Sequence, residues 1–404
     1  MNILSVIHYP GFGGPYNSNI RIAPWLAEKG IHITMLIPDE PGDGKSRLEK
    51  AGMDIVSIPL HRIRATLDPS VHALFCLDFF REVSCIRKII RDRRIDIVMI
   101  NGLVNPHSAI AARLESAAVV WHLLDTRAGM LVRRAIMPLV LKMSDAIMST
   151  GRKVAAEHPG AESFGNRLIS FFPPVDTSGF IGDPVRRAKA REELQVPQDA
   201  FLVGTVGNVN PQKGYEYLIR AGALLKERIP ELRIRVIGPF VPTHLEYQKN
   251  LMSEVRERGL SECIGFCGSH PRVERILPAF DVFVMTGVPF SEGITTAVLE
   301  AMSCGLPVVT TDAGAICEAV DDGVSGLIVP CLDSAGIAGA VNGLYANHER
   351  RVSMGRAARE RALKYFDSKS CAETHALAFE RALSHHGRRK QRAAIAGRHF
   401  PTLT

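Results

Sequence analysis

Several features are scarce or missing in this chain of 404 residues, and each absence excludes something. No run of about 18 apolar residues occurs, which excludes an ordinary spanning helix. The eight cysteines, at 76, 85, 263, 267, 304, 317, 331 and 371, contain no Cys-x-x-Cys pair. Scattered through apolar segments, they read as buried reduced thiols rather than disulfides or zinc ligands. The 34 glycines and 24 prolines have no fixed period, which excludes collagen-like and repeat architectures. No Gly-x-Gly-x-x-Gly follows a strand, which argues against a nicotinamide site. No acidic pair is placed as a metal site. Residues 1–20 hold no Lys, Arg, Asp or Glu, yet the apolar run stops at Tyr9-Pro10-Gly11 and lacks a basic start. It reads as a first strand rather than a signal peptide, and a cytoplasmic location is expected.

What is present is the composition of a folded protein, 46% hydrophobic and 23% charged, long enough for two or three domains. The net charge of +7 is uneven. Residues 1–178 are net +4, residues 179–383 net −2, and residues 384–404 net +5 with no acid. Without a nucleic-acid-binding motif, this pattern suggests an anionic acceptor or membrane face for the first half and the tail.

Short β-branched runs alternate with helix-length stretches. Strands are expected at residues 3–8, 32–38, 54–59, 96–101, 118–122 and 146–150, with helices at 20–29 and 77–91. The pattern breaks at Phe171-Phe172-Pro173-Pro174, where two prolines disfavour helix. After a basic helix at 184–194 it restarts, with strands at 201–207, 233–238, 281–285 and 307–311. Helices are expected at 214–228, 245–259 and 295–303, and a long helical end at 333–384. This is the α/β pattern of two Rossmann-like, doubly wound domains facing a cleft: residues 1–178, residues 179–370, and a helix with a basic tail at 371–404.

Three motifs carry chemistry. Gly11-Phe12-Gly13-Gly14-Pro15 follows the first strand, where glycines admit a ligand and a helix start offers N–H groups, or simply form a turn. Gly207-Asn208-Val209-Asn210-Pro211-Gln212-Lys213-Gly214 sets a lysine just before a helix, suited to a diphosphate or merely solvated. The most specific motif is Ser291-Glu292-Gly293-Ile294-Thr295-Thr296, followed eight residues after Glu292 by Glu300 in Leu299-Glu300-Ala301-Met302. A helix start beside two carboxylates can hold a phosphate and hydroxyls together, and a burial-prone Glu300 needs a polar partner.

These strings resemble the retaining, nucleotide-sugar-dependent glycosyltransferases with the GT-B fold, family 4. The Glu-x7-Glu frame falls on Glu292 and Glu300, the Gly-rich loop on Gly13 and Gly14, and the Lys-Gly pair on Lys213 and Gly214. The resemblance implies a hexosyltransferase that needs no metal and no cofactor beyond a UDP- or GDP-sugar donor. In that reading Glu292 contacts sugar hydroxyls, Glu300 the ribose and Lys213 the diphosphate. Amides of Gly14, Gly293, Ile294 and Thr295 help, and His122 is a cleft histidine near the sugar; its alternative is an interior histidine. The family commonly has arginine where this chain has Asn208, which removes one charge from that site. The implied acceptor is a glycan, a lipid-linked sugar or a small molecule, with residues 384–404 against an anionic membrane surface and no nucleic acid. The alternatives are a non-catalytic sugar-nucleotide-binding protein and a sugar-nucleotide epimerase.

Overall fold

The alternation of apolar runs and helical stretches resolves into two parallel sheets. The computed structural model describes residues 1–61, 69–103, 105–291 and 293–397. The first sheet is built from β1 Asn2–Val6, β2 His32–Pro38, β3 Asp54–Ile58, β4 Ile97–Asn101, β5 Ala118–Leu123, β6 Ala146–Ser149 and β7 Leu168–Ser170. Its order is β3-β2-β1-β4-β5-β6-β7. The second contains β8 Phe201–Val206, β9 Leu232–Ile237, β10 Ile264–Phe266, β11 Val282–Met285, β12 Val308–Thr311 and β13 Gly326–Val329, in the order β10-β9-β8-β11-β12-β13. The pairings within both sheets are parallel. Parallel strands need crossover helices, which cover both faces, so central strands are apolar throughout rather than alternating. β4 and β5 are buried at every position.

The two-sheet, Rossmann-like architecture expected from the sequence is what the chain adopts. β7 and β10, of three residues each, are too short to register as separate runs in the sequence, and β13 is a further strand that was not expected. The helix Gly14–Ala27 starts six residues earlier than its apolar periodicity suggests, because Pro15 occupies a first-turn position where no N–H is missed. The expected single helical end is three helices, Ser334–Ala346, His348–Tyr365 and Ser368–Gly397. One break falls at Asn347, whose side chain accepts the Arg350 N–H at 2.9 Å and caps the next helix.

The chain forms two units. One comprises Met1–Leu124, Ala128–Phe171 and the described chain from Lys369 onward; the other comprises Asp125–Arg127 and Phe172–Ser368. In the first, Ala372, Phe379 and Ala382 of the last helix share a core with Ile3, Met99 and Val120. In the second, Val203, Ile234 and Val284 of the sheet pack against Leu218, Leu251 and Val341 of the helices. Among the described residues no helix is long and apolar enough to cross a membrane.

Candidate active site

Each sheet reverses its strand order once, between β1 and β4 and between β8 and β11. In open parallel sheets ligands bind outside the carboxyl ends of the strands at such a reversal. Two of the three sequence motifs are the loops that leave β8 and β11. They touch. Thr286 Oγ1 donates to the Lys213 carbonyl at 2.8 Å, and the Val288 N–H donates to the Gln212 carbonyl at 3.1 Å. Gly214 stands between them with φ +59, in the left-handed region, and a β-carbon there would lie 2.3 Å from the Thr286 carbonyl oxygen. Both the backbone angle and the contact therefore demand glycine.

Lys213 ends the short 3-10 turn Pro211–Lys213, just ahead of the helix Tyr215–Lys226. Its half-buried stem folds back over Gly207: a β-carbon at Gly207 would meet Lys213 Cε at 3.0 Å. Tyr215 secures the loop from below, its hydroxyl donating to the Gly207 carbonyl at 2.9 Å. Its N–H donates to the Tyr247 hydroxyl at 3.0 Å, and that hydroxyl donates to Glu216 at 2.5 Å. Burial, and then the Glu216 carboxylate, raise the Tyr247 pKa, so the phenol holds its proton as a donor. Asn208 is exposed on the loop. The Asn210 Oδ1 is buried with no hydrogen-bond partner among the described residues. Gly238 closes against Gly207, where a β-carbon would lie 2.0 Å from the Gly207 oxygen, and its N–H donates to the Gly268 carbonyl at 2.7 Å. The loops after β9 and β10 thus adjoin the lysine loop.

The loop after β11 is held from beneath. Thr311 Oγ1 donates to the Gly287 carbonyl at 2.6 Å, Ser291 Oγ to the Val288 carbonyl at 2.5 Å, and the Ala315 N–H to the Gly293 carbonyl at 3.0 Å. Gly293 and Ile294 are buried. Thr295 precedes the helix Thr296–Ser303, and among the described residues no side chain caps that helix start, which leaves first-turn N–H groups for a ligand. Glu300 is 8% exposed on this helix. Burial and then the Glu300 carboxylate push the Cys304 thiol up to about 12. Glu292 lies outside the described residues. At the far end of the helix Arg359 donates to the Ser303 hydroxyl at 2.9 Å and the Phe180 carbonyl at 2.8 Å.

In the first unit Gly13 is extended, with φ −164, and precedes the helix Gly14–Ala27. Gly14 is exposed, and a β-carbon there would meet nothing within 4 Å. Neither glycine is required by its backbone angle; open space lies above Gly14. Asp43 fixes the loop, accepting the Phe12 N–H at 2.8 Å.

His122 is interior. It is 2% exposed on β5, with Nε2 at 3.2 Å from Met148 Sδ and the Phe171 and His375 rings each 5.3 Å away. Burial, and then His375, hold its pKa well below the ordinary histidine range. The sequence reading of a cleft histidine meets a packed one, because the last helix brings His375 over this face. At the β1/β4 reversal the structure instead sets the half-buried His8, whose Nδ1 is 3.1 Å from the Asn101 carbonyl. His8 and Thr286 were missed in the sequence; a polar residue just past a strand end was the available signal.

Residues 186–361 match the family model described as glycosyl transferases group 1, which bears out the resemblance over those residues. A D-inositol 3-phosphate glycosyltransferase of Corynebacterium urealyticum is 33% identical over 54% of this chain and 52% of its own length. A GDP-mannose-dependent alpha-(1-6)-phosphatidylinositol monomannoside mannosyltransferase of Mycolicibacterium smegmatis is 34% identical over 50% of this chain and 54% of its own. The chain spans about half the length of the curated relatives it matches. Among solved structures, HepE of Anabaena with bound UDP superposes with TM-score 0.78 at 22% identity, covering 93% of this chain and 98% of that one. A Thermosynechococcus elongatus sucrose-phosphate synthase gives 0.71 at 18% identity, covering 98% and 99%. At these identities the likeness establishes the fold, GT-B.

Proposed function

We propose that this protein is a hexosyltransferase that moves a sugar from a nucleotide-sugar donor to an acceptor with retention of anomeric configuration and without a metal. The observation that carries the reading is the joined pair of loops at the β8/β11 reversal, one bearing Lys213 and the other leading into an uncapped helix start. The family match over residues 186–361 and the names of the relatives support it.

Breaking the glycosidic bond builds charge on the diphosphate that leaves. The remedy is donors already in place where that charge develops. In this reading Lys213 supplies a point charge, and the N–H groups at Gly293, Ile294 and Thr295 supply donors just ahead of the helix start. Gly14, with open space above it, adds a further amide. Glu300 accepts ribose hydroxyls and Glu292 donor-sugar hydroxyls. Asn208 carries no charge, so Lys213 bears more of the diphosphate. His122 enters as a packing group on β5. The acceptor is a glycan, a lipid-linked sugar or a small molecule, and the net +4 of residues 1–178 favours an anionic one. We place the protein in the cytoplasm, with residues 384–404 against the cytoplasmic membrane face.

A melting-temperature screen of UDP-, GDP- and ADP-sugars tests the donor class, since a ligand at 100 times its Kd adds about 2.7 kcal/mol of stability. The best donor is then assayed for release of nucleoside diphosphate. Turnover that falls sharply in Glu292→Ala and Lys213→Ala, with folding intact, supports the transferase. Binding without any turnover supports a sugar-nucleotide-binding protein instead, and wild-type turnover in both variants rejects the assignments.

A further inference from the structure

The basic run at the end of the chain does not simply trail from the fold. Its first residues line one wall of a cavity of about 460 Å³ in the first unit, with Lys142, Ser144, Arg167, His385, Arg388 and Arg389 around it. That volume suits a small ligand. Asp145 lies beneath, its carboxylate fully enclosed and saturated. It accepts Arg113 Nη1 at 2.8 Å, the Val119 N–H at 3.0 Å and His385 Nδ1 at 3.0 Å, and lies 3.3 Å from His386 Nδ1. Lys142, Arg167, Arg388 and Arg389 make no ion pair among the described residues, whereas His385 is paired with Asp145. Arg167 donates to the Asp145 carbonyl at 3.0 Å, Arg388 to the Ser384 hydroxyl at 3.0 Å and Arg389 to the Lys142 carbonyl at 3.4 Å. The hydrogen-bond partners of these guanidinium groups are neutral oxygens, and Arg167 also lies over the Phe164 ring at 4.3 Å. Burial lowers the Arg167 pKa; the Asp145 charge offsets part of this and the neighbouring Arg388 charge adds to it.

A cluster of guanidinium groups and a lysine around a cavity, with its one enclosed acid already engaged, is short of negative charge. Guanidinium forks match phosphate oxygens in geometry as well as in sign. We propose that this cavity is a binding site for a phosphoryl anion. The ligand is either a phospholipid headgroup or a soluble phosphate. The proposal stands independently of the transferase reading, since the residues around the cavity are not among those placed in the donor site.

Two arms test it on the full chain. In one, inorganic phosphate is titrated against the melting temperature. In the other, the protein is sedimented with vesicles of phosphatidylglycerol in phosphatidylcholine, with pure phosphatidylcholine as the control. Binding is expected in at least one arm. Arg388→Ala with Arg389→Ala is expected to weaken it about 25-fold, each cation near an anionic surface being worth about fivefold. Arg167→Ala, from a separate segment of the cavity wall, is expected to lose about fivefold. Binding to vesicles alone makes the ligand a lipid headgroup, and stabilisation by phosphate alone makes it soluble; either supports the site. Lys88→Ala with Lys390→Ala removes the same charge from outside the cavity, and an equal loss in that variant overturns the proposal. No binding in either arm, or binding that the Arg388 and Arg389 substitutions leave unchanged, also overturns it.

Discussion

Replacing Lys213 with alanine separates the charge of the lysine from the loop that holds it. The loop is fixed by backbone groups: Thr286 Oγ1 on the Lys213 carbonyl, the Val288 N–H on the Gln212 carbonyl, and the tight approach at Gly214. None of these needs the ammonium, so the melting temperature is expected to stay within about 2 °C of wild type. One donor aimed at a developing oxyanion is worth about 3–4 kcal/mol in an enclosed site, or about 10²–10³ in rate. Lys213 is half-buried, so solvent screening places the loss toward the lower end, about 10² in kcat/KM for the donor. Gly207→Ala is a companion that keeps the charge and moves it. The new β-carbon would lie 3.0 Å from Lys213 Cε and 3.1 Å from the Tyr215 hydroxyl. The lysine stem must shift, and a loss on the order of tenfold is expected. Donor-dependent release of nucleoside diphosphate, measured over a range of donor concentrations, reads both variants. Wild-type kcat/KM in Lys213→Ala refutes the reasoning, as does a loss in Gly207→Ala larger than that in Lys213→Ala.

Three further outcomes are expected. Glu300→Gln keeps the shape of the side chain and removes its charge; donor affinity by calorimetry should fall about 10–100-fold, the worth of a hydrogen bond to a charged group. Asp281→Ala leaves Arg191, 1% exposed in its side chain and paired with Asp281 at 2.7 Å, buried without its carboxylate, and urea unfolding should show about 3–5 kcal/mol lost. Burial holds the His375 pKa at about 4, below its ordinary 6.5. As pH falls below about 6.5 the unfolded chain takes up that proton first, so stability is lost progressively from there down to about pH 4. His375→Phe should flatten this part of the melting-temperature profile, and an unchanged slope counts against a neutral buried imidazole.

Much of the second unit was readable from the chain. β8, β9, β11 and β12 lie within one residue at each end of where the β-branched runs put them, and the Lys213-Gly214 pair falls at the strand-to-helix turn its glycine implies. The signals are local: the left-handed angle at Gly214 selects glycine, and alternation of strand and helix specifies parallel pairing. Residues 168–170 and 264–266 form strands because neighbours supply an edge, and three residues have no period to detect.

Local patterning suffices for the two α/β units, their parallel strands and the loops that carry the candidate donor chemistry, since periodicity, proline and glycine act on residues close in the chain. Tertiary structure alone decided that the last helix packs on the first unit, that it covers His122 with His375, and that its arginines meet Lys142 and Arg167 around a saturated Asp145. It also decided that the Lys213 loop rests on Thr286. The physical reason is common to all of these. A side chain's neighbour across tens or hundreds of residues is chosen by whichever apolar face or counter-charge the folded sheet leaves within reach, and local patterning holds no record of it.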